Sequence, residues 1–146
     1  MKASLIKQFD LRLTKLSKEM ALYPDEKLLW ETPATIGNSG GNLCLHLIGN
    51  LNHFIGATLG NSGYIRQRDD EFSHKDIPVA ILQEKVELTK TVVSKTLNSL
   101  NDKDFETTYP INVFGTAMTT TYFMIHLLGH LNYHLGQINY HRRLVC

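Results

Sequence analysis

The chain has 146 residues, 42% of them hydrophobic and 20% charged, and its 15 basic and 14 acidic side chains leave a formal net charge of +1. This is the material of one ordinary domain with a real core, and the near-neutral balance gives no electrostatic reason to expect nucleic acid or an anionic membrane as partner. The two cysteines, Cys44 and Cys146, form no CxxC pair, so we expect reduced thiols in a cytoplasmic protein.

The first predicted helix runs from about Ala3 to Leu22, where Leu5, Phe9, Leu13, Leu16 and Met20 recur at three- and four-residue steps. Lys7, Asp10, Arg12 and Lys15 interrupt its apolar runs, which argues against a signal peptide or anchor. No later stretch is apolar for the length of a membrane span. Tyr23, Pro24 and Asp25 stop the helix. A loop follows, and Trp30 is expected to pack under it. Ser39 or Asn38 can cap a second helix, from Asn42 to near Gly60. Residues 60–77 are rich in Gly, Ser and Asp and show no period. Pro78 suits the first turn of a third helix. Val79, Leu82, Val86, Val93, Leu97 and Leu100 form its apolar face. A second connection, 101–116, contains Pro110 and Gly115. The fourth helix spans about Thr119 to Arg142.

Four such helices and no credible strand pair predict an all-α four-helix bundle formed by residues 1–146 as a single domain. The long connection between the second and third helices can cross the full length of the bundle, since antiparallel neighbours need only a few linking residues. Helices two and three should then run the same way, with one and four against them: up-down-down-up.

The last helix holds four of the seven histidines, at 126, 130, 134 and 141. At about 100° per residue, His126, His130 and His134 share an arc of roughly 80°, and Gln137 and His141 fall within it. The second helix presents a similar row of Asn42, His46, Asn50 and His53. The simplest reading of such seams is a line of interior polar groups bonded to each other and to buried water. The HxxxH spacing suits a metal as well, because it puts two imidazoles about 6 Å apart on one face. A third ligand must come from another helix. If helices two and four are antiparallel, His46 lies at the depth of His130 and His134, so the expected site is His46, His130 and His134. His126 then becomes a supporting or deeper-pocket residue, with Asn50 near its level. No ExxH pairs mark a di-iron centre, no HExxH a zincin and no CxxCH a haem. Three neutral imidazoles suit zinc, nickel, iron or copper and do not choose among them; zinc or nickel is the first expectation and iron the next.

The two rows also align. HLIGNLNHFIG, from His46 to Gly56, matches HLLGHLNYHLG, from His126 to Gly136, and each puts a glycine beside the row, Gly49 or Gly129, where another helix can approach. Cys44 points away from the histidines and reads as buried filler, and Cys146 as a mobile terminus. Tyr64, Tyr122 and Tyr133 are expected in the core or on a dimer face.

With its histidine at 46, the stretch His130-Leu-Asn-Tyr-His134-Leu-Gly-Gln137 resembles the C-terminal signature of the DinB-like (YfiT-like) metalloenzyme superfamily. The likeness extends over nearly the whole chain. Leu135 stands where many members carry arginine. The resemblance implies an up-down-down-up bundle, a divalent metal on His46, His130 and His134, and a homodimer. It also implies chemistry on a low-molecular-weight cellular thiol, by S-transfer or thiol-dependent isomerisation, and we expect a thiol S-transferase with a small-molecule substrate.

Three protein ligands leave a coordination position open, as catalytic rather than structural sites do. His126 and Gln137 are expected to orient ligands, and His141 to lie nearer the mouth where substrate enters. Arg68, Asp69 and Glu71 can close that mouth, although the plainer reading of that run is a solvated loop. Two alternatives stand beside the transferase: a non-enzymatic metal-binding stress-response dimer, and a metal-dependent hydrolase.

Overall fold

The computed structural model describes all 146 residues. Helix α1 (Lys2–Ala21) buries Leu5, Phe9, Leu13, Leu16 and Met20, the predicted stripe. A 3₁₀ turn, Glu26–Trp30, sets Trp30 against the backbone of Gly41. Helix α2 (Gly40–Leu51) starts at Ser39, whose hydroxyl accepts from the Asn42 amide at 3.1 Å. It continues through a π-helical stretch, Asn52–Ala57, to Thr58–Gly60. The first connection contains a short helix, α3 (Arg68–Ser73). Helix α4 (Val79–Ser99) follows Pro78, α5 (Asp102–Glu106) opens with an Asn101–Asp104 capping box, and α6 (Thr120–Val145) is capped by Thr119. No helix is long and apolar enough to cross a membrane.

Cross-helix pairs fix the directions. Lys2 reaches the carbonyls of Asn98 and Leu100, and Gln83 reaches that of Ser17, so α1 and α4 are antiparallel. Arg12 bonds Asn132 and Arg142 bonds Glu19, so α1 and α6 are parallel. His46 meets His130 while Phe54 meets Phe123, so α2 opposes α6. Asn52 bonds Thr89, and Gly60 lies against Thr96, so α2 and α4 run together. The molecule is the up-down-down-up bundle that the long connection requires. One cluster of 27 buried apolar residues draws on all four long helices.

Three local features depart from the sequence reading. The connection is not simply a solvated loop: α3 is pinned to the start of α2, where the Asn42 amide donates to the carbonyls of Glu71 (3.0 Å) and His74 (2.8 Å). The π-helical stretch widens the turn, and polar groups take up carbonyls there. Thr58 donates to that of His53 at 2.9 Å and Tyr109 to that of Phe54 at 2.6 Å. The wider turn shifts the helical phase of the residues that follow it. Tyr64, Tyr122 and Tyr133 are exposed rather than part of the core.

Candidate metal centre

His46 enters the bundle from the second turn of α2, and His130 and His134 face it from successive turns of α6. The His130 Nε2 lies 3.2 Å from His46 Nε2 and 3.1 Å from His134 Nε2. All three donor atoms fall within 4.8 Å of one another. Imidazole nitrogens about 2.0–2.1 Å from a shared ion at tetrahedral angles sit roughly 3.3–3.4 Å apart. The separations in the protein are close to that value.

The outward nitrogens settle which lone pairs face inward. His46 Nδ1 donates to Glu71 Oε1 at 3.0 Å, since a carboxylate can only accept. His134 Nδ1 donates to Gln137 Oε1 at 2.7 Å, and the Gln137 amide nitrogen donates to the Tyr133 hydroxyl. Both rings therefore turn a bare Nε2 inward. His130 Nδ1 is buried without a partner. At most one proton, on His130 Nε2, can lie between three nitrogens, so the cluster holds more lone pairs than donors. A cation can satisfy that surplus, so the three histidines can hold a metal ion. An N–H tied to a carboxylate or carbonyl oxygen is the usual support of a metal-binding histidine.

Glu71 is the residue whose role the sequence did not disclose. It lies in α3 at 6% exposure, and Arg66 grips its carboxylate from the other side, with Nε to Oε2 at 2.8 Å and Nη2 to Oε1 at 2.9 Å. The carboxylate rests directly on Gly49, where any Cβ would collide with it. Gly49 is thus a point of close approach, as expected, but the group approaching is a carboxylate. Nothing lies within 4 Å of a Cβ built at Gly129, so that glycine admits no helix of its own chain. The sequence signal for Glu71 was its spacing from Arg66. Within a run of charges it looked like solvated surface.

Burial favours the un-ionised Glu71, but the hydrogen bonds from His46 and Arg66 outweigh it and hold the carboxyl below its ordinary value. Glu71→Gln removes this charge and should weaken zinc affinity about 10- to 100-fold. Calorimetric titration of the two proteins reads this directly, and unchanged affinity would remove Glu71 from the site.

Burial lowers the His130 pKa from 6.5 to about 4, helped by His134, His46, His126 and Arg66. Burial also lowers that of His134, although its bond to Gln137 works the other way. Neutral imidazole is the ligating form. In the metal-free protein the unfolded chain takes up these protons first. The fold should therefore lose stability as pH falls from about 6.5 towards about 4. Glu71 acts in the same direction lower down: its contribution is present above 4.5 and is lost as pH falls through its depressed folded value. Urea midpoints of metal-free protein at pH 7 and pH 5 test the histidine part, and His130→Gln should flatten the slope.

The remaining predicted residues separate. Gln137 bonds His134, and Asn50 is buried one turn past His46 with its Oδ1 unpartnered. His126 is exposed rather than deep, with its ring 4.7 Å from Phe114 and 6.4 Å from His130. His141 lines a cavity beside Gln137. It is buried, with Nδ1 on the Tyr23 hydroxyl at 2.7 Å and Nε2 on the Glu31 carbonyl at 2.8 Å. Arg68 and Asp69 are exposed, with Arg68 over the Phe72 ring, which packs on His46. Cys44 is fully buried, and burial pushes its thiol up to about 12, so it is no nucleophile. A cavity of about 330 Å³ opens one turn beyond the histidines, between Ile36, Leu43, Gln137, Tyr140 and Leu144.

Residues 2–146 match the family described as "Protein of unknown function (DUF1572)". No curated protein matches the chain.

Proposed function

The chain belongs to the DUF1572 family, and we propose that it is a metal-dependent transferase acting with a low-molecular-weight thiol in the cytoplasm, from a branch of the DinB-like superfamily. The observation that carries this reading is the convergence of three Nε2 atoms whose outer N–H groups are held by Glu71 and Gln137, or left to packing at His130. Three protein donors, rather than four, support a site that accepts an exogenous ligand.

His46, His130 and His134 would hold the ion, which when bound supplies Lewis acidity that favours the thiolate over the thiol. The protein's own groups do the rest. Glu71 and Arg66 hold the His46 ring, and Gln137 holds that of His134. Phe72 covers one flank of His46 and so limits access of water from that side. The cavity beside Gln137 is of the size and mixed lining that small substrates use. Its wall of Ile36, Leu43, Tyr140 and Leu144 suits an apolar electrophile.

Glu71 is engaged by both His46 and Arg66, which leaves no free carboxylate beside the histidines to act as general base. That favours thiol transfer over hydrolysis of a neutral bond. The open cavity weighs against a purely storage or stress-response role.

The test is conjugation of an alkylating electrophile by glutathione, cysteine and coenzyme A in turn, using zinc- and nickel-loaded protein. Turnover that depends on the metal and is lost in His130→Ala supports the reading. No metal-dependent turnover with any thiol would move the protein to the non-enzymatic class.

A further inference from the structure

Two arginines flank His46 where the first connection enters α3. The Arg66 side chain is 12% exposed and uses Nε and Nη2 on Glu71, at 2.8 and 2.9 Å. Its Nη1 has no protein acceptor and stays open to solvent. The guanidinium lies over Phe54, 5.7 Å from the ring centroid, with Nη2 3.3 Å from His46 Nδ1. Its charge is felt among the histidines: after burial, it is the next cause that lowers the His53 pKa. Arg68 is exposed and makes no ion pair, yet it too is laid on an aromatic ring, 5.3 Å from the Phe72 centroid. That ring packs on His46 at 5.1 Å. Each guanidinium is thus placed by a phenylalanine beside the histidine cluster.

We propose that Arg66 and Arg68 together bind the carboxylate of the thiol that approaches the three histidines. This rests on the thiol reading above and narrows it. Thiols with a carboxylate a few bonds from sulfur are preferred over neutral thiols and over aminothiols. A planar guanidinium with a free N–H edge is the side chain best suited to grip a carboxylate. The charge count sets the class of anion. Glu71 offsets one of the two arginines, so the pair keeps one net positive charge. That matches a singly charged carboxylate rather than a doubly charged phosphate.

The other acidic residues of α3 leave that charge in place. Asp70 is turned to His74, at 3.8 Å, and lines a separate cavity with Gln67 and Lys85. Asp69 lies about 100° round the helix from Arg68. The plainer account, two surface arginines resting on aromatic faces, suffices for Arg68 alone. It does not suffice for Arg66, whose guanidinium is largely buried and has its plane held by two bonds to Glu71. Such a group has given up most of its hydration while one edge remains open, and an incoming carboxylate supplies the missing acceptor.

Arg68→Gln and Arg68→Glu are the variants of choice, because Arg68 is exposed and holds no charged partner whose release would disturb the fold. Cobalt-loaded protein is titrated with mercaptobutyrate and with mercaptobutanol, and binding is read from the thiolate-to-cobalt charge-transfer band. The chain of mercaptobutyrate is too long to close a stable ring on the ion through its own carboxylate. Wild type should bind mercaptobutyrate about tenfold more tightly than mercaptobutanol. Arg68→Gln should cut that preference to about threefold. Arg68→Glu should abolish it, with mercaptobutanol bound as in wild type throughout. Equal binding of the two thiols by wild type, or a preference unchanged in both variants, overturns the proposal. Chelator-treated protein gives a second readout that needs neither metal nor thiol. Butyrate should shift the Arg66 side-chain Nε–H resonance, and butanol should not. A resonance unmoved at about 100 mM butyrate overturns the carboxylate site. If neither thiol reaches the cobalt, the transferase reading fails, and the butyrate titration still decides the arginine site.

Discussion

His130→Ala should abolish metal binding while leaving the fold in place. His130 Nε2 sits between the other two donors, 3.2 and 3.1 Å away, so its loss removes the nitrogen that bridges the helices. Structural zinc sites bind with about 10–16 kcal/mol over four ligands, so one imidazole accounts for roughly 3–4 kcal/mol, or a factor of several hundred. The cost to the metal-free fold should be small, about 1 kcal/mol, because the half-buried ring gives up only its Nε2 contacts to His46 and His134, and its buried Nδ1 is already unpartnered. The clearest readout is the thermal shift with zinc. At a hundredfold excess over the dissociation constant, wild type should gain about 2.7 kcal/mol. For a chain of this length that is a rise of roughly 5–10 °C. His130→Ala should show almost none at the same concentration, with an unshifted midpoint in chelator.

The second large effect should come from Gly49. Gly49→Ala places a methyl group where the Glu71 carboxylate lies. Relief requires α3 to move, which breaks the Arg66 pair and releases His46. Overpacking and a disrupted buried ion pair together should cost about 3 kcal/mol. Zinc affinity should fall with it. Gly129 occupies the matching position in the aligned segment of α6, but its Cβ would point into open space. The same substitution there should instead stabilise by about 0.5–1 kcal/mol from helix propensity. Urea unfolding of the two variants gives the comparison. Equal effects would mean that Glu71 is not seated against Gly49 in solution.

That contrast shows what the sequence could disclose. Periodicity located four helices to within a few residues, because each buries a continuous apolar stripe such as Leu5 to Met20 or Leu82 to Leu97. The length of the crossover determined the direction of α4 relative to α2. Helical phase and depth singled out His46, His130 and His134, because two straight antiparallel helices have a predictable register. The crossover itself was opaque. α3 is six residues long and rich in acid, with too few apolar positions for a period. Its burial depends on pairing at a distance, Glu71 with His46 and Arg66, and Asn42 with backbone carbonyls. The π-helical stretch was equally hidden, since nothing in NHFIGA distinguishes it from an α-helix until Thr58 and Tyr109 reach its carbonyls. His126 and His141 were placed by extending the arc in both directions. One emerges at the surface beside Phe114, and the other is held by Tyr23, a partner no local pattern names.

The most direct measurement is the metal content of wild-type protein purified without an affinity tag, followed by titration of the chelator-treated protein with zinc and nickel. The convergence of His46, His130 and His134 predicts close to one equivalent of divalent metal per chain and sub-micromolar affinity on reloading at pH 7. Protein that emerges metal-free and takes up neither ion below millimolar concentration would contradict it.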